Sequence, residues 1–277
     1  MGRTPPAALV EVRNLVHRAA QWPARAARAN LSAVPDDSHS AFTWDASHAA
    51  LLSRVLPAKG GGVRVGIRIA RLELIITSGN NVADAFQLDG RTDPAAGAWI
   101  DSKLQALGLK PAGDVKLPYE LPDHPGGGRP HELGKLGREL GELSRWFGGP
   151  AEVLEEFAAK LAGLRPGPGP MLCWPHHFDM ATLVRLDTGG GGSARSVGVG
   201  VSPGDEFYAQ PYVYVSPRPP FEGENLPELP PPGRWHTKGF FGAVATGEEI
   251  LAMKDRRRAL LAFITGAFEI ARARLGV

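Results

Sequence analysis

The sequence predicts an α+β fold in which antiparallel sheets pack with helices in two lobes, and three observations carry that prediction. Apolar residues alternate with others over 63–76 and in further runs after residue 170, the period of a strand with one buried face. Between and around these runs, apolar residues step at three and four, the spacing of one helix face. A polar stretch rich in Pro and Gly at 110–130 separates the two sheet-forming regions.

Residues 1–35 are expected to hold an N-terminal helix over 5–29. Leu9, Val12, Val16, Ala19 and Ala20 recur at helical spacing and place Arg13, Arg18, Arg25 and Arg28 on the solvated face. A first α+β lobe is expected over 36–130. It begins with a loop carrying Pro35, Asp36 and Asp37, then Phe42-Thr-Trp44, with Asp45 as cap of a short helical stretch through Ala50, Leu51 and Leu52. Val63, Val65, Ile67 and Ile69, then Leu72, Leu74 and Ile76, give a strand pair or one bent strand. Asn80-Asn81 marks a turn and Phe86-Gln-Leu88 a third strand. Asp93-Pro94 opens a helix that Gly108 closes.

Residues 131–169 read as a helical connection and linker, with two helices around Leu133–Leu143 and Val153–Leu161 separated by Gly148-Gly-Pro150. The second lobe, 170–277, should contain strands at 171–187, 195–201, 211–215 and 240–245. Gly189–Gly192 forms a hairpin tip, the Pro-rich run 217–233 an extended surface flap, and 255–275 a final helix.

Composition narrows the function classes. Of 277 residues, Lys plus Arg number 31 against 29 Asp plus Glu, so a net charge of +2 gives no electrostatic reason for a nucleic-acid or membrane partner. The single cysteine, Cys173, leaves no intramolecular disulfide framework and no zinc site needing two thiolates. No run approaches the roughly 20 apolar residues of a membrane-spanning helix, and the start lacks a short apolar core with a cleavage site. The expected setting is the cytoplasm, and the expected partner a small molecule.

Trp174-Pro-His-His-Phe-Asp179 is the chemically richest stretch. On a strand over 173–187, Trp174, His176 and Phe178 share the core face while His177 and Asp179 lie together on the other. A His-x-Asp pair joined by His236 makes a two-histidine, one-carboxylate set for a divalent metal ion such as zinc, iron or manganese, with positions open for water or substrate. Asp205 and Tyr208 are the candidate acid or base. The plainer reading has His177 and Asp179 hydrogen-bonded to one another and His236 packed on Trp235. Trp174, Trp235, Tyr208, Tyr212, Tyr214, Phe240 and Phe241, with His176, could wall a pocket for a flat or apolar ligand, or form an aromatic core beneath the flap.

Two other motifs lead nowhere sharper. Gly200-Val-Ser202-Pro-Gly204 matches the hydrolase elbow pattern, but Pro203 stands where a backbone N–H must meet the oxyanion. Cys173, which shares the His177 face on the strand reading, could be a thiolate nucleophile, but flanked by Leu172 and Trp174 it reads more simply as a small buried hydrophobe.

Several long motifs carry a resemblance. They are Cys173-Trp-Pro-His-His-Phe-Asp179, Ser196-Val-Gly-Val-Gly-Val-Ser-Pro-Gly-Asp205, Gln210-Pro-Tyr-Val-Tyr-Val-Ser-Pro217 and Trp235-His-Thr-Lys-Gly-Phe-Phe-Gly-Ala-Val244, with Trp44-Asp-Ala-Ser-His48 and Tyr119-Glu-Leu-Pro-Asp-His-Pro125. Together they resemble a mainly bacterial family of uncharacterised proteins, classed as a domain of unknown function, over most of the chain after residue 40. The resemblance implies no activity or cofactor, and adds His48 and His124 to the candidate neighbourhood. Two functions follow as expectations: a small-molecule enzyme using a metal held by His177, Asp179 and His236, or a non-catalytic ligand-binding or scaffold protein with an aromatic pocket.

Overall fold

The computed structural model describes residues 4–113, 115–121, 129–134, 136–189, 194–221 and 225–276. It is an α+β fold with two antiparallel sheets. The chain divides into two compact units, the first made of Leu9–Arg145 and Leu172–Phe178, the second mainly of Trp146–Met171 and Asp179–Val277. The division differs from that expected at 130–170. The N-terminal helix is built into the first unit, and the first residues of the histidine motif return to that unit rather than continuing the second.

In the first unit, α1 (Val10–Asn30) buries Val12, Leu15, Val16, Ala19, Ala20, Ala24, Ala26 and Ala27, and with them His17 and Gln21. The arginines do not form a solvated face. Arg18 pairs with Asp93 at 2.6 Å, Arg25 lies over the Trp22 ring and Arg28 lies over Tyr119. An alanine-rich helix admits neighbours close on several sides, and arginine stems then pack while their heads seek carboxylates and rings.

The first sheet runs β1 (Thr43–Asp45), β2 (Ala50–Leu52), β3 (Val63–Arg68), β4 (Glu73–Ser78) and β5 (Asn81–Gln87) in chain order, antiparallel throughout. The helical stretch expected after Asp45 is a strand instead. Ala50, Leu51 and Leu52 are all buried between β1 and β3, and burial on both faces overrides the local helical signal. Asp45 serves the connecting turn, where its Oδ1 accepts the His48 N–H at 2.9 Å. β3 and β4 are a strand pair, joined through a short 3-10 turn at Ile69–Arg71. β5 begins earlier than expected because, at the sheet edge, none of its residues is fully buried and its apolar period is diluted.

Helix α2 (Asp93–Ala106) starts where the Thr92 hydroxyl oxygen accepts the Ala95 N–H. Its Ile100 and Leu104 join Leu56, Val63, Val65, Ile76, Ala26 and Ala27 in one core cluster. Gly97 makes this packing possible, since a Cβ there would stand 2.6 Å from the Trp22 ring.

Helix α3 (Gly137–Lys160) is continuous where two helices were expected, with Pro150 inside it. Burial of Trp146, Phe147, Leu154 and Phe157, each worth roughly 1.5–3 kcal/mol, outweighs the roughly 3 kcal/mol that an interior proline costs.

The remaining strands are β6 (Gly167–Pro168), β7 (Leu172–Cys173), β8 (Met180–Arg185), β9 (Ser196–Ser202), β10 (Tyr212–Arg218), β11 (Arg234–His236) and β12 (Gly242–Thr246). β7 belongs to the first unit, where Cys173 exchanges both backbone hydrogen bonds with Phe42. In the second unit the order is β11-β12-β10-β9-β8-β6, antiparallel. After the short α4 (Gly247–Leu251), helix α5 (Arg256–Arg274) buries Phe263, Ile264, Ala267 and Phe268, and Asp255 caps it by accepting the Arg258 N–H at 3.1 Å. Of the glycine hairpin tip expected at Gly189–Gly192, residues 190–192 lie outside the described residues.

Candidate functional site

The strand expected over 173–187 is broken. Between β7 and β8 the chain makes a tight turn in which the Phe178 N–H reaches the Trp174 carbonyl at 2.7 Å, and Phe178 takes a left-handed backbone with φ 59°. Such a conformation is unfavourable for a bulky residue and persists only where surroundings enforce it. Here the enforcement comes from α1. The His17 ring stacks on Phe178 at 4.8 Å, and His17 Nε2–H and Gln21 Nε2–H both donate to the Pro175 carbonyl, at 2.7 and 3.0 Å. The turn also removes the period-two geometry that put His177 and Asp179 on one face.

His17 is only 6 % exposed, and burial, the largest cause, lowers its pKa from 6.5 to about 4 despite the Pro175 hydrogen bond. It is a neutral donor that holds the turn. The turn presents His177 to solvent and leaves His176 half-buried, with ring centroids 4.4 Å apart. Tyr119 lies 5.6 Å from the His176 ring, and its hydroxyl donates to Gln21 Oε1 at 2.7 Å. Burial, then the charge of His177, lowers the His176 pKa. Trp174 donates its indole N–H to the Asp36 carbonyl.

In the second unit, Tyr212 and Tyr214 sit two apart on β10 and point to the same face. Each donates its hydroxyl to a carboxylate, Tyr214 to Asp179 and Tyr212 to Asp205. Burial first, then the adjacent carboxylate, pushes both phenols well above the usual tyrosine range, so both remain proton donors. Gly200, opposite Tyr214 on β9, provides the room: a Cβ there would stand 2.6 Å from Ala181 Cβ and 2.7 Å from the Tyr214 hydroxyl oxygen.

Asp205 has both oxygens engaged. Oδ1 accepts the N–H groups of Phe207 and Tyr208 at 2.9 and 3.1 Å, and Oδ2 accepts the Tyr212 hydroxyl with a longer contact from Ser202 Oγ. This anchors the 203–208 loop, and Ser202, buried at 2 %, is part of the anchor rather than a nucleophile. His236 likewise uses both ring nitrogens. The Lys238 carbonyl, 2.6 Å from Nε2, can only accept, so Nε2 carries a proton, and Nδ1 is hydrogen-bonded with the Tyr208 hydroxyl at 2.7 Å.

The expected aromatic pocket divides into two clusters. Trp235 and His236 are neighbours on β11 and therefore face opposite ways. His236 stacks on Phe240 at 4.1 Å beside Phe207 and Tyr208, and Tyr208 leads by ring contact to Tyr212 and Tyr214. Trp235 stacks on Phe241 with Phe221 against both.

Among the described residues, no group of three or more His, Cys, Asp or Glu side chains is placed to hold a metal ion. His177 belongs to the first unit, Asp179 and His236 to the second, and each of the latter two is held by a tyrosine hydroxyl. His48 is occupied in the β1–β2 turn by Asp45, Ser47 and the Asn80 carbonyl. His124 lies outside the described residues. A cleft of about 300 Å³ in the first unit, lined by Lys59, Gly61, Val63, Ile76, Asp84 and Lys103 among others, contains none of the residues that sequence reasoning selected.

Sequence reasoning missed His17, Gln21 and Arg28. Their signal was present: they recur at four and seven along α1 and so share one helix face, a polar line inside an otherwise apolar pattern. No protein-family model, curated protein or solved structure matches the chain. Among the described residues no helix is long and apolar enough to cross a membrane.

Proposed function

We propose that this protein binds a small molecule on the aromatic face formed by Tyr208, His236 and Phe240 in the second unit, backed by the buried Tyr212 and by Tyr214, and that it does so without a catalytic metal. The observation that carries this reading is the closure of the polar groups on one another. Asp205 and His236 have every side-chain nitrogen or oxygen engaged within the protein, and Asp179 accepts the Tyr214 hydroxyl. Groups so engaged make poor metal ligands and poor acids or bases, while the rings they orient are rigid and amphipathic, the character of a binding surface. The ligand chemistry that fits is a planar ring with a polar edge, stacked on Tyr208 or His236.

Two measurements test this together. Elemental analysis of protein purified without a metal-binding tag, beside a His177→Ala variant, is expected to find no stoichiometric zinc, iron or manganese in either. A thermal-shift screen with planar heteroaromatic compounds is expected to find ligands that stabilise the wild type and lose that effect in Tyr208→Ala. Stoichiometric metal that disappears in His177→Ala would overturn the reading in favour of the metal-dependent enzyme.

A further inference from the structure

We propose that Arg28, Tyr119, His176 and His177 form a binding site in the first unit for a small oxyanion, a phosphoryl or carboxylate group. The four residues make a contiguous run. The Arg28 guanidinium lies over the Tyr119 ring at 5.8 Å, Tyr119 lies against His176 at 5.6 Å, and His176 against His177 at 4.4 Å. The elements that bring them together are the polar face of α1 and the turn that His17 and Gln21 hold in its left-handed form.

The Arg28 side chain is 12 % exposed, and its Nε and Nη2 are buried without a hydrogen-bond acceptor among the described residues. Asp37 Oδ1 approaches Nη2 to 3.2 Å as an ion pair, but outside hydrogen-bonding geometry. Guanidinium donors removed from water and paired by charge alone, without a hydrogen bond, are under-satisfied, and their planar fork matches two oxygens of one anion. The neighbours favour that occupant. Tyr119 has its proton on Gln21, and burial pushes its pKa up to about 12, so no competing phenolate forms. The two imidazoles supply further N–H donors, and His177 keeps the run open to solvent. Asp37 is the resident competitor, and an incoming anion must displace it from Arg28.

That competition gives the test, with inorganic phosphate and acetate as probes in calorimetric titrations at pH 7, followed in parallel by the imidazole NMR signals. The wild type is expected to show one saturable site for at least one probe, with His176 and His177 signals moving together. Phosphate alone saturating identifies a phosphoryl ligand, and acetate alone a carboxylate. Arg28→Lys keeps the charge but not the fork and should weaken binding about tenfold. Asp37→Asn, at a partly exposed loop position whose left-handed backbone asparagine also tolerates, should tighten it several-fold. Absence of saturable binding by both probes overturns the proposal. So does an affinity indifferent to Asp37→Asn, even if Arg28→Lys fails to fold.

Discussion

Acidification should release the turn that carries the histidine motif, and His17 sets the size of the effect. Its imidazole is neutral in the fold down to a pKa of about 4, whereas in the unfolded chain it titrates near 6.5. Between these values the unfolded state binds the extra proton, so stability is complete above pH 6.5 and falls as pH drops towards 4. At pH 4.5 the loss from this group alone is on the order of 2–3 kcal/mol, using 1.36 kcal/mol per pKa unit. The burial that causes the shift also makes the penalty real, since the ring has 6 % exposure and stacks on Phe178.

The assay is urea unfolding at several pH values from 7.5 to 4.5, for wild type and His17→Gln. Glutamine can still donate to the Pro175 carbonyl but does not titrate, so carboxylates and other histidines contribute equally to both proteins. The wild-type unfolding free energy relative to that of His17→Gln should therefore fall by on the order of 2–3 kcal/mol between pH 7.5 and 4.5. Parallel pH profiles, or a His17 NMR titration midpoint near 6.5, would refute the assignment of His17 as a buried neutral donor.

Two further outcomes bear on the tyrosine network. Gly200→Ala should destabilise by on the order of 1–3 kcal/mol, since its methyl group overlaps Ala181 and the Tyr214 hydroxyl, and the near-ultraviolet dichroism of the tyrosines should change with it; an unchanged melting temperature and spectrum would show that the sheet absorbs the methyl. Tyr214→Phe removes the proton donated to Asp179 and should cost about 1–3 kcal/mol by chemical denaturation at pH 7; an unchanged unfolding free energy would show that this hydrogen bond does not hold the network.

Much of the fold was legible because it rests on local period. The alternation of Val63, Val65 and Ile67 with Leu74 and Ile76 declared the central strands of the first sheet, and Phe263, Ile264, Ala267 and Phe268 the buried face of α5. The errors fall where tertiary burial competes with local signals. Ala50–Leu52 is too short to show a period and becomes a strand because β1 and β3 lie on either side. Pro150 reads as a break, yet buried aromatic residues on both sides keep α3 continuous.

By itself, the sequence determined the α+β class and singled out the residues with chemistry to offer: the two imidazoles at 176 and 177, the carboxylates at 179 and 205, the tyrosines of β10 and His236. Only the tertiary structure decided which of them meet. Hydrogen-bond partners distant in sequence, such as Asp179 with Tyr214 and Tyr208 with His236, depend on strand order and register, which no local pattern encodes. The same holds for Phe178, whose left-handed backbone breaks the strand reading because His17, far earlier in the chain, is packed against it.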